Sequence, residues 1–181
     1  MPRRDSFDER LLHWIDDHRV AAISSFTTWM KDAGETPWVL AVVGLAIAAV
    51  IVRFRAWRLG FATALAGFIA GSAADALKTR IGRARPALPD VIVQVDGYAM
   101  PSSHSAALAG SSVALLKVVR WSSRKALVAT AVVLGLGTVF IGAAMVYLGA
   151  RWATDVLAGW ALGALIGAAS GLVFRPRASS V

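Results

Sequence analysis

The stretch VYLGARWATDVLAGW (residues 146–160) decides the fold class, because it joins two long apolar runs at residues 125–148 and 152–174. Each run reaches the length of about 20 residues that an α-helix needs to cross the ~30 Å hydrocarbon layer of a bilayer. The junction carries Arg151 and Asp155 one helical turn apart. Charged side chains are costly in a membrane and usually serve a function there, so this junction indicates a site at the membrane surface.

The composition of the whole chain is typical of a multi-pass membrane protein. Hydrophobic residues make up 57% of the 181 residues, and the mean hydropathy of +0.61 exceeds that of soluble domains. There is no cysteine, so thiol chemistry and cysteine-based metal sites are excluded. We predict an all-α, multi-pass membrane helical bundle with about five transmembrane helices, at residues 37–52, 57–78, 104–119, 125–148 and 152–174.

The two ends of the chain are predicted to lie outside the bilayer core. Residues 1–36 contain charges, such as Asp16 and Arg19, that cannot sit in hydrocarbon, so this amphipathic segment is expected to lie on the membrane surface. Residues 37–174 would form the transmembrane core. Residues 175–181 would form a cytoplasmic tail.

Basic residues predict how the chain is oriented in the cell membrane. Clusters at residues 53–58, 117–125 and 175–177 fall on one side if all five segments span, and the positive-inside rule makes that side cytoplasmic. This rule explains the net charge of +8 better than a nucleic-acid partner does. The remaining cations would lie on the extracytoplasmic side, where they indicate an anionic ligand. They are Lys78, Arg80, Arg83, Arg85 and Arg151.

The last apolar run carries glycines at a spacing of four residues. This spacing puts Gly159, Gly163, Gly167 and Gly171 on one helix face and lets a second helix approach closely. A packing seam within the chain is the stronger interpretation. A protein partner or a second copy of the chain could also use this face.

Three segments that end on the extracytoplasmic side carry the candidate site. The guanidinium of Arg85 can donate two parallel hydrogen bonds to a phosphate, and Lys78 can add a point charge. The PSSH segment places the free N–H groups of a helix N-terminus where they can bind an anion. We therefore expect a phosphate-bearing lipid whose tail stays in the membrane. Snorkelling and helix capping are the alternative structural explanations. The candidate residues are Lys78, Arg85, Ser102, Ser103, His104, Arg151 and Asp155.

Three motifs resemble those of the type-2 phosphatidic acid phosphatase superfamily, in its bacterial integral-membrane branch. KTRIGRARP matches the KxxxxxxRP motif at Lys78, Arg85 and Pro86. PSSH resembles the PSGH motif, with Ser103 where glycine is usual. MVYLGARWATDVLAGW is similar to the third motif, SRxxxxxHxxxD.

The resemblance implies hydrolysis of lipid phosphates or pyrophosphates at the extracytoplasmic face, with no metal or other cofactor. Phosphatidic acid, phosphatidylglycerol phosphate and polyprenyl pyrophosphate are substrates of the family. Lys78, Arg85 and the PSSH amides would hold the phosphate, and His104 would protonate the leaving oxygen. The histidine of the third motif would attack phosphorus, oriented by the carboxylate at Asp155.

The chain departs from this pattern in its third motif. The Ser–Arg pair of the family falls on Ala144 and Met145, and the nucleophilic histidine falls on Arg151. A guanidinium stays protonated and offers no lone pair for attack on phosphorus. Arg151 could instead pair with Asp155, one helical turn on, or contact the phosphate itself.

Two functions remain open from the sequence. The first is a pseudoenzyme that binds a lipid phosphate, as a carrier-binding, regulatory or partner subunit. The second is an active lipid phosphate phosphatase in which His104 attacks phosphorus or activates a water, since imidazole exchanges protons near neutral pH. The loss of a nucleophile costs several orders of magnitude in rate, which favours the first. A vanadium-dependent haloperoxidase is excluded because its metal-ligating histidine would also fall on Arg151.

Overall fold

The computed structural model describes residues 6–53, 55–87 and 91–174, and these residues form seven α-helices and no strand. The predicted all-α, multi-pass membrane bundle is confirmed. The predicted cytoplasmic tail lies outside the described residues. The helices are α1 Phe7–Asp17, α2 Ala21–Glu35, α3 Pro37–Arg53, α4 Trp57–Ile81, α5 Ser103–Val118, α6 Arg124–Tyr147 and α7 Ala153–Phe174.

Helix lengths divide the predicted membrane crossings into two groups. Within the described part of the chain, α4, α6 and α7 are long and apolar enough to cross a membrane. Helices α3 and α5 have 17 and 16 residues, which is at or below the shortest length that spans a bilayer. Five crossings therefore remain a prediction.

Local sequence signals set the helix boundaries that shape the site. Gly82 ends α4 with a φ of 63°, a conformation that glycine adopts without the steric cost of a β-carbon. Ser102 caps the start of α5, because its side chain accepts a hydrogen bond from the amide of Ser105. The last turn of α4 and the first turn of α5 lie side by side, since Lys78 is bonded to Ser103.

Helices α4, α5 and α7 pack closely along the glycine face of α7. All four glycines at the predicted spacing are buried. A β-carbon on Gly163 would lie 2.1 Å from the carbonyl oxygen of Ala106, and one on Gly167 would lie 2.5 Å from that of Gly110. The face is thus a packing seam within the chain. The prediction that a partner or second copy uses the Gly159/Gly163/Gly167/Gly171 face is wrong, because α5 already fills it.

Replacing a seam glycine should be far more harmful than replacing an open one. Gly163→Ala is expected to lower the free energy of unfolding by roughly 1–3 kcal/mol or more, because backbone atoms of α5 must move apart from α7. Gly135→Ala is the matched control, since nothing lies within 4 Å of its added β-carbon. Thermal unfolding in detergent measures both. Equal melting temperatures for the two variants would contradict the seam.

The N-terminal helices are tied by specific contacts to the end of the bundle where α6 ends and α7 begins. The hydroxyl of Tyr147, at the end of α6, lies 3.2 Å from the amide nitrogen of Val20 and 3.0 Å from Oγ of Ser24. Large apolar side chains of α1 and α2, such as Trp14 and Trp29, remain exposed. Their location on the membrane surface remains a prediction.

Candidate active site

The structure divides the predicted site residues into two neighbouring groups. The first lies between α4 and α5 and contains Lys78, Ser103 and His104. The second lies where the α6–α7 turn meets the loop after α4, and it contains Arg85, Arg151 and Asp155. The groups are connected through Ser102, whose amide donates to the carbonyl oxygen of Asp155 at 3.0 Å.

In the first group, Lys78 is held in place by two partners. Its Nζ donates to the Asp75 carboxylate at 2.6 Å and to Oγ of Ser103 at 2.9 Å. Asp75 lies three residues before Lys78 on α4, so the two side chains share one helix face. Asp75, Ser103 and His104 line one end of a cleft of about 470 Å³ between α4 and α5. A phosphate in this end of the cleft would meet a hydroxyl group and an imidazole, and the ammonium group of Lys78 is bonded to that hydroxyl.

Ser102 caps α5 and joins it to α7, and its predicted contact with phosphate remains a prediction. Its side chain is buried, with 1% of its surface exposed. Its Oγ accepts from the amide of Ser105 at 3.4 Å and from the Ser105 hydroxyl at 2.9 Å. Its backbone amide donates to the carbonyl oxygen of Asp155, so Ser102 both caps α5 and joins it to α7.

Arg85 is anchored by main-chain carbonyl oxygens through part of its guanidinium group. Nε donates to the carbonyl oxygens of Asp96 and Gly97, each at 3.1 Å, and Nη1 donates to that of Ala150 at 2.8 Å. Among the described residues, Nη2 has no acceptor. Burial lowers the pKa of Arg85 from its ordinary value. The anchored guanidinium can therefore offer Nη2 to a phosphate at little further cost in side-chain entropy.

Arg151, at the position where the third motif has its histidine, is buried and bonded to the loop before α5. Only 5% of its surface is exposed, and its Nη1 donates to the carbonyl oxygens of Tyr98, at 3.2 Å, and Ala99. Burial, together with the charge of Arg85, lowers the pKa of Arg151 to about 10. The guanidinium therefore still carries its proton at neutral pH, and it holds the loop that precedes α5.

The carboxylate of Asp155 pairs with Arg83, one of the cations that the sequence predicted to face an anionic ligand. Nη1 of Arg83 donates to Oδ1 of Asp155 at 2.7 Å and to the Thr154 hydroxyl at 2.6 Å. The other oxygen of Asp155 accepts from the amide of Trp152 at 3.0 Å. The side chain of Asp155 is fully buried, so this network fixes its orientation.

The network extends to α1 through Asp8, which sequence reasoning missed. Oδ2 of Asp8 accepts from Nη2 of Arg83 at 2.6 Å, and its Oδ1 accepts from the amide of Thr154 at 3.1 Å. Burial opposes ionisation of Asp8, but hydrogen bonds from Thr154 and Arg83 outweigh it and lower its pKa. Asp8 thus caps the first turn of α7 from a separate helix. No signal in the sequence links residues this far apart.

Comparisons with known proteins agree with the fold. The family model of the PAP2 superfamily matches residues 55–178. A transmembrane PAP2 type phosphatidylglycerolphosphate phosphatase from Bacillus subtilis has a similar structure, with a TM-score of 0.76 and 23% identity over 92% of this chain and 83% of that one. LpxE from Aquifex aeolicus has a TM-score of 0.65 and 20% identity, over 94% of this chain and 98% of its own.

No curated protein sequence matches the chain significantly. At these identities the two solved structures show the shared fold alone. The family model, however, covers more than half of the chain and includes the segments that carry all three motifs. The chain therefore belongs to the PAP2 superfamily.

Proposed function

We propose that this protein binds a lipid phosphate or pyrophosphate at the extracytoplasmic membrane face and is catalytically impaired. The observation that carries the proposal is Arg151, a protonated, buried guanidinium at the nucleophile position, bonded to the carbonyl oxygens of Tyr98 and Ala99. It cannot accept a phosphoryl group, since every nitrogen lone pair is delocalised in the cation. The third-motif arginine of the family is also missing, at Met145.

Binding is supported by the cations that the fold retains. Lys78 and Arg85 are both pre-positioned by protein partners, so a phosphate meets them without a large loss of side-chain entropy. Ser103 adds a hydroxyl that is already bonded to Lys78. Arg151 adds a second positive charge, which interacts electrostatically with that of Arg85. The Bacillus subtilis protein of similar fold is described as a phosphatase of a lipid phosphate, which favours the same ligand class here.

The proposed orientation follows from the distribution of basic residues. With the clusters at residues 53–58 and 117–125 on the cytoplasmic side, the ends of α4, α6 and the start of α7 face outward. The C-terminus would then be cytoplasmic, and the protein would be a multi-pass component of the cell membrane. An accessible lipid headgroup in the outer leaflet is the ligand that this orientation favours.

Removing the charge of Lys78 should weaken binding of the phosphate group. Lys78→Gln is expected to raise the Kd for phosphatidic acid or polyprenyl phosphate roughly 10- to 100-fold, the usual cost of losing a hydrogen bond to a charged group. The measurement is ligand-induced thermal stabilisation in detergent, with diacylglycerol and polyprenol as ligands that lack phosphate. Lys117→Gln is the matched control, because Lys117 lies in the last turn of α5, far from the Ser103 end. Equal stabilisation by the phosphorylated and unphosphorylated lipids would overturn the proposal.

An active phosphatase that uses His104 is the second candidate. It is favoured by Asp75, a carboxylate that lines the same end of the cleft and interacts electrostatically with His104. A carboxylate beside an imidazole can stabilise its protonated form during proton transfer. Release of phosphate by the parent protein, lost in His104→Ala, would support this candidate and contradict catalytic impairment. An equal background rate in the parent and His104→Ala would support a binding protein.

A further inference from the structure

We infer that the cleft between α4 and α5 binds the hydrocarbon tail of the lipid, and that it admits one slender chain. The inference rests on the proposed binding of a phosphate headgroup at Lys78 and deepens it. One cavity contains both environments: Asp75, Ser103 and His104 line its polar end, and mostly apolar or small residues line the rest. A headgroup bound at the polar end therefore has its tail at the mouth of the cleft.

The dimensions of the cleft suit a lipid chain that descends into the membrane. Ala64, at its apolar end, lies eleven residues before Asp75 on α4, which corresponds to about 16 Å along a helix. This length is roughly half of the ~30 Å hydrocarbon layer. Because α4 is long and apolar enough to span, the cleft runs from the membrane surface towards the bilayer centre and opens to lipid along its side.

The floor of the cleft is narrow because helices α4 and α5 nearly touch beneath it. A β-carbon on Gly67 would lie 2.1 Å from Oγ of Ser111, and one on Gly71 would lie 3.6 Å from the β-carbon of Ala107. The larger side chains of Phe68 and Leu108 also line the cleft. One chain can bury apolar surface against this floor, whereas the second chain of a two-tailed lipid would remain in the bilayer.

A bulky side chain placed in the cleft should block the tail and leave the headgroup end intact. Ser72 lines the cleft and is exposed, and Ala76 is exposed one turn later on the same helix without lining it. We expect Ser72→Phe to weaken binding of polyprenyl phosphate and lysophosphatidic acid at least tenfold. Ala76→Phe should leave both affinities within twofold of the parent. Binding is measured by thermal stabilisation in detergent, with competition by inorganic phosphate reporting on the headgroup end.

The outcomes separate this inference from the proposed function. A tail site is supported if Ser72→Phe binds the lipid more weakly and inorganic phosphate still competes with the remaining lipid binding as it does in the parent. Equal lipid affinities in Ser72→Phe and Ala76→Phe would overturn the tail site while leaving headgroup binding intact.

Phosphatidic acid should bind no more than threefold tighter than lysophosphatidic acid of the same chain. A tenfold gain from the second chain would contradict a single-chain cleft. If Lys78→Gln binds the phosphorylated lipids as tightly as the parent does, the proposed function itself is contradicted.

Discussion

The double variant Met145→Arg/Arg151→His is expected to release phosphate from a lipid phosphate on the order of a thousandfold faster than the parent protein. The reason is that the parent lacks a nucleophile, and loss of a nucleophile costs enzymes several orders of magnitude in rate. Histidine at position 151 would supply a lone pair for attack on phosphorus. The buried carboxylate of Asp155 is already fixed by Arg83 and has lone pairs left to orient an imidazole.

The appropriate control for this gain is Arg151→Gln. Glutamine removes the buried charge and weakens the hydrogen bonds to Tyr98 and Ala99, as histidine does, but it adds no nucleophile. Phosphate release is measured in detergent over time, and trapping of a phosphohistidine in the double variant would identify the route. A parent protein as active as the double variant would show that Arg151 does not limit catalysis.

The second large effect is expected at Asp8, whose substitution should release α1 from the bundle. Asp8→Asn is predicted to lower the free energy of unfolding by roughly 3 kcal/mol, because breaking a buried ion pair leaves its partner charge uncompensated. Asp8 is 5% exposed and contacts both Arg83 and Thr154. Thermal unfolding in detergent measures the loss. Asp17→Asn, at the exposed far end of α1, should change stability by less than about 0.5 kcal/mol.

The contribution of Asp8 should also depend on pH. Its folded-state pKa is lowered by Thr154 and Arg83 despite burial, so its stabilisation is complete above the unfolded carboxyl pKa of about 3.9. As the pH falls below that value, the unfolded state takes up a proton first and the stabilisation is lost towards the folded pKa. The difference in melting temperature between parent and Asp8→Asn should therefore shrink below about pH 4. A difference that stays constant down to pH 3 would contradict an ionised Asp8 in the folded state.

Much of the architecture could be predicted from the sequence because the relevant signals are local. Apolar runs of membrane-spanning length specify helices wherever the chain is placed in lipid. Glycines at a spacing of four define one helix face by helical geometry alone, although only packing showed that α5 fills the face formed by Gly159 to Gly171. Motif spacing likewise located Lys78, Arg85 and Arg151 near helix ends.

Tertiary structure alone decided the pairing of charged groups that lie far apart in the sequence. Asp8 contacts Thr154 across 146 residues of sequence, and no periodicity or motif encodes such a distance. The sequence predicted an anionic ligand for Arg83, yet packing places this side chain between two carboxylates. Arg151 faces the carbonyl oxygens of the loop before α5 instead of Asp155. A buried charge must find whichever acceptors the fold brings within hydrogen-bonding distance, so its partners depend on three-dimensional packing and not on spacing along the chain.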